Sequence, residues 1–379
     1  MPDSSDFDMP DLDPIMIGRT GGSTGTATLT KLDFSILQQD AKHYHINNQI
    51  QGLENATIIL WWGLFPDTTA IHTILAYAYI GLRNHYWFST IRGNESNTGW
   101  YYIALTYIMI LMARFHGLKF PFPHYVSVDD PFPIVERIAT ELKKGKPVVL
   151  ESTTSKCVRV SLCAQQHGID LTGVVVYGMS EPSTQTKVSI IEASGIKFLN
   201  WYEATETTII GMPCKNPSDH TDVHLLSHDI TLIQRPQEVL EQTVNAFHFT
   251  SLLPTNPKML LNVQLDDYGI IEERDCGCPL YEMGFTTHMR QVSSFRKLTG
   301  EGVTLVGSDM VHILEHVLPS QFGGSLLDYQ LVEEENEQGF TKLMLYVDPS
   351  VPIQDENALL EAFLDAMKHS MPSVRLAQA

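Results

Sequence analysis

Positive charge is what this 379-residue sequence has little of: 25 lysines and arginines stand against 44 aspartates and glutamates, a net charge of −19. Such a chain repels polyanions, which argues against nucleic acid and anionic membrane surfaces as partners. A small anionic ligand must then be met by local donors or by a divalent cation. Long hydrophobic runs are also missing. The two most apolar stretches, around 71–82 and 103–112, are too short and too interrupted to span a bilayer. The start, MPDSSDFDMPDLDP, is acidic where a secretory signal would be basic and apolar, so a cytoplasmic protein is expected. Five cysteines, at 157, 163, 214, 276 and 278, are odd in number and unevenly spread, which argues against a disulfide framework and leaves metal binding open. No internal repeat appears. The P-loop lysine and the GxGxxG fingerprint are both lacking.

What is present is an ordinary globular composition, 43% hydrophobic and 18% charged, long enough for more than one domain. After an acidic leader (1–17), apolar runs such as ATIILWW, PVVLES and GVVVYG alternate with helix-like LDFSILQQDAKHYHINNQI, TTAIHTILAYAYIGL, IVERIATELKKG and SKCVRVSLCAQQHG. That alternation predicts an α/β fold with a largely parallel sheet flanked by helices. Beyond about residue 190, KVSIIEASGIKFLNWY, HLLSHDITLI, KMLLNVQL and YGIIEER read as strands between turns, a β-rich subdomain of mixed or antiparallel sheet. A large domain over 18–298 is expected to give way, at the glycine pair of KLTGEG, to a small α+β domain over 299–379. That unit carries helix-like DMVHILEHVLPSQFG, the paired strands LDYQLVEEE and TKLMLYVD, and a last helix ENALLEAFLDAMKHS.

Chemistry concentrates in a few places. RTGGSTGTAT, residues 19–28, combines glycines with hydroxyls and exposed N–H groups, natural donors to phosphate oxygens, or else a flexible linker. NWYEATET offers an aromatic, a threonine and a carboxylate that suit a base, a phosphate and Mg²⁺. QLDDYG places an aspartate before a turn, where it could accept from ribose hydroxyls. Cys276-x-Cys278, with Cys214 upstream, presents three thiolates, and His220, His224 or His228 could complete a tetrahedral zinc site. WWGLFPD is an aromatic stretch of the kind found in cores and in apolar pockets.

Taken in order, the loop, the aromatic-x-x-Thr-Glu stretch, the aspartate before a glycine, and a hinge before a small domain resemble the adenylate-forming superfamily of acyl-CoA synthetases and adenylation domains. CGCP at 276–279 and DYQLVEEE resemble its phenylacetate-CoA ligase branch. The resemblance covers about residues 18–370. It implies that Ser23, Thr24, Gly25 and Thr26 hold the ATP phosphates and that Tyr202 lies against the adenine. Gly178 would line the adenine pocket and Asp267 would hold the ribose. Thr205 and Glu206 would be catalytic, at the α-phosphate and at Mg²⁺. It further implies an acyl pocket at Trp61, Trp62 and Phe65 for a small aromatic or otherwise apolar acid. The zinc set would be Cys214, His224, Cys276 and Cys278, and the acceptor coenzyme A or another nucleophile.

Departures accompany the match. The loop runs into Ala27-Thr28 where the family has Pro-Lys or similar, Glu203 replaces the glycine of Tyr-Gly-x-Thr-Glu, and the hinge lacks its arginine. Both ends are short of the family, and the carboxy-terminal adenylation lysine has no counterpart. Two alternatives to a ligase therefore stay open: a nucleotide- or acyl-adenylate-binding protein with lost turnover, and one subunit of a split ligase. A homo-oligomer or a partner chain supplying the missing segments is the matching expectation.

Overall fold

The computed structural model describes residues 4–19, 29–91, 100–181, 183–239, 242–294, 297–300, 303–306, 310, 313–324 and 328–370. Its centre is a six-stranded, wholly parallel sheet in the order β5-β4-β3-β6-β7-β8. The strands are β3 (Thr57–Trp61), β4 (His85–Ser89), β5 (Pro123–Tyr125), β6 (Val148–Thr153), β7 (Val174–Met179) and β8 (Lys197–Asn200); a hairpin of β1 (Met16–Arg19) and β2 (Leu29–Leu32) precedes them. Helices connect them as parallel strands require: α1 (Phe34–Gln51), α2 (Thr69–Tyr79), α3 (Trp100–Phe115), α4 (Phe132–Leu142), α5 (Thr154–Gln166) and α6 (Gln185–Glu192).

Both faces of this sheet are covered, and strand alternation assigns the residues. Ile58, Leu60, Val149, Val175 and Tyr177 face α1 and α2 in one core; Ile59, Trp61, Val148, Leu150, Val174 and Val176 face α4, α5 and α6 in another. The chain builds outward from β3 to one edge, returns, and builds outward from β6 to the other. The β3/β6 boundary is therefore a topological switch point, where open α/β sheets place ligands at the carboxyl ends of their strands.

Local chemistry fixes the helix ends. Asp33 caps α1 by accepting from Ser35 N and Ile36 N at 2.9 and 3.0 Å, and Gly52 ends it at φ 74°. Thr184 caps α6. That helix corrects the strand expected over KVSIIE, because the parallel β7–β8 pair needs a crossover element between its strands.

The β-rich part is a seven-stranded sheet in the order β12-β13-β14-β15-β11-β10-β9. Its strands are β9 (Tyr202–Ala204), β10 (Thr208–Pro213), β11 (Val223–Leu225), β12 (Ile230–Val239), β13 (Gln242–Ser251), β14 (Val263–Glu273) and β15 (Thr287–Ser294), all antiparallel. In the expected hinge segment, KLTG forms β16 (Lys297–Gly300), paired with β17 (Val303–Val306); residues 301 and 302 lie outside the described set. The last unit pairs β18 (Tyr329–Glu335) with β19 (Thr341–Val347) and packs the helix Glu356–Ser370 through Leu359, Phe363 and Met367. Its hairpin turn meets the parallel-sheet unit, the Phe340 ring lying 4.4 Å from the Arg159 guanidinium. Among the described residues no helix is long and apolar enough to cross a membrane.

Candidate nucleotide site and metal cluster

Tyr202 and Asp267 are 65 residues apart in sequence, and the fold joins them: the Tyr202 hydroxyl donates to Asp267 Oδ2 at 2.7 Å. β9 continues directly from β8, so Tyr202 stands beside the carboxyl edge of the parallel sheet. Asp267 arrives from β14 at the far side of the antiparallel sheet's fold. Thr205 and Glu206 form the tight turn between β9 and β10, whose strands pair from Ala204 to Thr208. Thr207 N closes that turn on Ala204 O at 3.0 Å. Burial, then the Asp267 carboxylate, pushes the Tyr202 hydroxyl well above its usual range, and Glu206 adds to the effect. Tyr202, Glu206 and Asp267 thus form one electrostatic group.

Gly178 sits on β7, and a Cβ there would come within 2.3 Å of the Phe198 ring. Close packing of β7 on β8 accounts for this glycine whatever else it lines. Ser23, Thr24, Gly25 and Thr26 lie outside the described residues; the strands flanking that loop are paired through Arg19 and Leu29.

On the opposite side of β9, Glu203 faces α1 and α2. Its side chain is exposed to solvent. Desolvation, then Asp40, raises it to about 7 against a lowering by His72. His72 Nε2 pairs with Asp40 Oδ2 at 2.8 Å, and His43 Nε2 with Asp229 Oδ2 at 2.9 Å. Sequence reasoning gave these histidines no role, because their carboxylate partners come from another helix and another sheet. Of the expected acyl-pocket residues, Trp61 is buried in the α4–α6 core, Trp62 in the α1–α2 core, and Phe65 is half-buried against the latter. Lys156 Nζ lies 5.5 and 5.9 Å from the two indole rings.

The cysteines converge. Cys214 ends β10, His224 lies on β11, and Cys276 and Cys278 lie on the turn after β14. Cys276 Sγ and Cys278 Sγ stand 3.6 and 3.1 Å from His224 Nε2. Zinc bonds of ~2.3 Å to sulfur and ~2.0 Å to nitrogen at the tetrahedral angle separate the two ligand atoms by about 3.5 Å, so the spacing fits that metal. His224 Nδ1 bonds Phe285 O at 2.6 Å, which fixes Nδ1 as the protonated nitrogen and leaves Nε2 as a ligand. Burial, then neighbouring His288, pushes His224 down to about 4, keeping it neutral at physiological pH.

The sequence did not single out His288. It is the cross-strand partner of His224, with ring centroids 4.0 Å apart, and one ligand atom each of Cys214, His224, Cys276 and His288 lie within 4.8 Å of one another. Its Nδ1 meets Asp222 Oδ1 at 2.7 Å, and its buried Nε2 has no partner among the described residues. That is the carboxylate–histidine arrangement which orients metal ligands. Only strand register reveals it.

No protein-family model and no curated protein matches this sequence. Among solved structures, the chain is similar to 2-hydroxyisobutyryl-CoA ligase bound to 2-HIB-AMP and CoA in the thioesterification state, with a TM-score of 0.60 at 14% identity over 98% of this chain and 69% of that one. An open conformation of the same enzyme gives 0.51 at 14%, over 96% and 74%. The o-succinylbenzoate CoA synthetase of Bacillus subtilis, bound to a product analogue, gives 0.51 at 12%, over 95% and 64%. At these identities the likeness establishes the fold, which is that of adenylate-forming acyl-CoA ligases.

Proposed function

We propose that this chain activates a carboxylic acid as its acyl-adenylate and passes the acyl group to coenzyme A or another nucleophile. A carboxylate oxygen attacks the α-phosphorus of ATP, the bond to the bridging oxygen breaks, and pyrophosphate leaves. The acceptor then attacks the acyl carbon and AMP leaves. The observation that carries this reading is the Tyr202–Asp267 bond beside the Thr205-Glu206 turn, on the fold shared with adenylate-forming ligases. Asp267 accepts from the ribose, Tyr202 lies against the adenine, Thr205 donates to the α-phosphate, and Ser23, Thr24, Gly25 and Thr26 serve the remaining phosphates. Glu206 would hold Mg²⁺, which supplies charge neutralisation when bound. Cys214, His224, Cys276 and Cys278 would hold a zinc that ties β10, β11 and the turn after β14 together, apart from the reaction. CGCP and DYQLVEEE support the phenylacetate-CoA ligase-like branch. The test is pyrophosphate release with ATP across a panel of carboxylic acids, with and without coenzyme A. Acid-dependent release, slowed about 10²- to 10³-fold by Glu206→Gln, is expected; equal release from both proteins refutes the site.

A second reading, that another polypeptide completes the enzyme, is favoured by α3. Tyr101, Leu105, Ile108, Met112 and Phe115, at alternating spacings of four and three, are all exposed, Phe115 to 88%. Such a stripe suits helix pairing. Light scattering distinguishes a 42.6 kDa monomer from an assembly that Ile108→Glu dissolves.

A further inference from the structure

Five donors stand where a tetrahedral metal takes four. Cys214, His224, Cys276 and Cys278 are the set that the sequence suggests, yet the structure brings one ligand atom each of Cys214, His224, Cys276 and His288 within 4.8 Å of one another. Cys278 joins this neighbourhood through the 3.1 Å approach of its Sγ to His224 Nε2. His288 makes the stronger demand for a metal. Its ring is fully buried. Asp222, ionised by its pairing with Arg274, can only accept, so the 2.7 Å contact of its Oδ1 holds a proton on His288 Nδ1 and leaves a lone pair on Nε2. Arg274 Nη2 lies 3.1 Å from Nδ1 as well, and it too leaves Nε2 free. That nitrogen has no partner among the described residues. Register holds the two imidazoles together: His224 on β11 and His288 on β15 are directly opposed, which puts both side chains on one face, their ring centroids 4.0 Å apart.

A buried nitrogen lone pair without a partner is costly, and a metal ion is what a carboxylate-oriented imidazole ordinarily meets. Cys278 bears no such cost. It is buried in the apolar cluster that includes Leu280 and Phe285, where a neutral thiol packs as a small hydrophobe. Charge favours the same choice. Three thiolates and one imidazole around Zn²⁺ leave an excess of negative charge beside Asp222, and the guanidinium that faces this carboxylate is shared with Glu272. Two thiolates and two neutral imidazoles cancel the charge of the ion, and a cancelled charge is the less costly one to bury. We propose that His288 is a direct ligand of the metal, which Cys214, His224, Cys276 and His288 hold together, and that Cys278 remains a neutral thiol outside the coordination sphere. This rests on the metal reading above and exchanges one member of its ligand set. The metal then ties β15, as well as β10, β11 and the turn after β14, into one cluster.

The experiment uses the full chain, purified without chelator, in three forms: unaltered, Cys278→Ser and His288→Gln. Elemental analysis counts bound metal, and competition with a chromophoric chelator ranks affinity for Zn²⁺. Replacement of zinc by Co²⁺ then counts the sulfur ligands, because each cobalt–thiolate bond adds charge-transfer absorption in the near ultraviolet. In the unaltered protein that absorption should correspond to two cobalt–sulfur bonds, and it should be unchanged in Cys278→Ser, which keeps about one metal per chain. His288→Gln should bind zinc more than a hundredfold more weakly, beyond the loss of about 10- to 100-fold expected when a residue that merely orients a ligand is removed. Circular dichroism identifies any variant that fails to fold, and the cobalt absorption of the unaltered protein decides the question without one. Absorption matching three sulfurs, or loss of metal from folded Cys278→Ser, overturns the inference and leaves the zinc reading standing. A folded His288→Gln that holds zinc within that hundredfold overturns it as well. An unaltered protein that carries no transition metal and takes up no Co²⁺ overturns the metal reading itself.

Discussion

Removing metal from the Cys214–His224–Cys276–Cys278 cluster should loosen the antiparallel sheet, by an amount set by the chain it closes. Coordination at His224 and Cys276 ties residues 52 apart. Chain entropy assigns a closed loop of that length about 4 kcal/mol at 25 °C. The binding free energy of the metal itself adds to this closure contribution, so the loss is at least that large. Without metal, burial keeps the Cys214 and Cys276 thiols protonated, so no bare charge is left inside. A loss of about 4 kcal/mol corresponds to a fall of about 5 °C in melting temperature for a chain of this size. The assay is differential scanning calorimetry of protein purified without chelator, before and after treatment with phenanthroline, alongside elemental analysis. About one zinc per chain is expected, with the metal and the thermal increment lost together in the Cys276→Ser, Cys278→Ser double variant. A protein that carries no transition metal, or one whose melting is unchanged on stripping, would refute the reasoning.

Three further outcomes follow from individual contacts. Tyr202→Phe removes the 2.7 Å bond to a carboxylate, worth about 2 kcal/mol; calorimetry should show ATP bound at least tenfold more weakly by a folded protein. Lys187 and Glu181 are a buried pair 3.5 Å apart, Glu181 also accepting from the Ser155 hydroxyl at 2.9 Å. Lys187→Met strands that carboxylate and should cost about 3 to 5 kcal/mol in urea unfolding, much of it recovered by adding Glu181→Gln. His85 is pushed by burial from 6.5 down to about 4. The unfolded chain therefore binds a proton that the native state refuses. Stability should fall by about 3 kcal/mol as pH drops from 6.5 to 4, and His85→Leu should flatten that part of the profile.

Much of the fold was legible because its information is local. Apolar runs marked β3, β6 and β7, and the last helix coincides with ENALLEAFLDAMKHS. Where sequence reading failed, at KVSIIE, the segment was too short to carry a period strong enough to separate helix from strand, and the crossover geometry decided. The three cysteines were legible as a candidate set because thiolates in such spacing have few other uses, whereas His224 was singled out from His220 and His228 only by the resemblance. The Tyr202 and Asp267 motifs were legible too, but not their bond, which exists only because β9 and β14 belong to one sheet.

The sequence by itself set the classes of ligand to be expected: its acidity, its hydroxyl-rich loop and its cysteines are properties of composition and order. Tertiary structure alone decided which groups stand together. His288 joins the cysteines through the register of β11 on β15, and the Tyr202 hydroxyl meets Asp267 because β9 and β14 belong to one sheet. Electrostatic coupling depends on separation in space and on the water excluded between groups, and neither quantity is written in the order of residues along a chain.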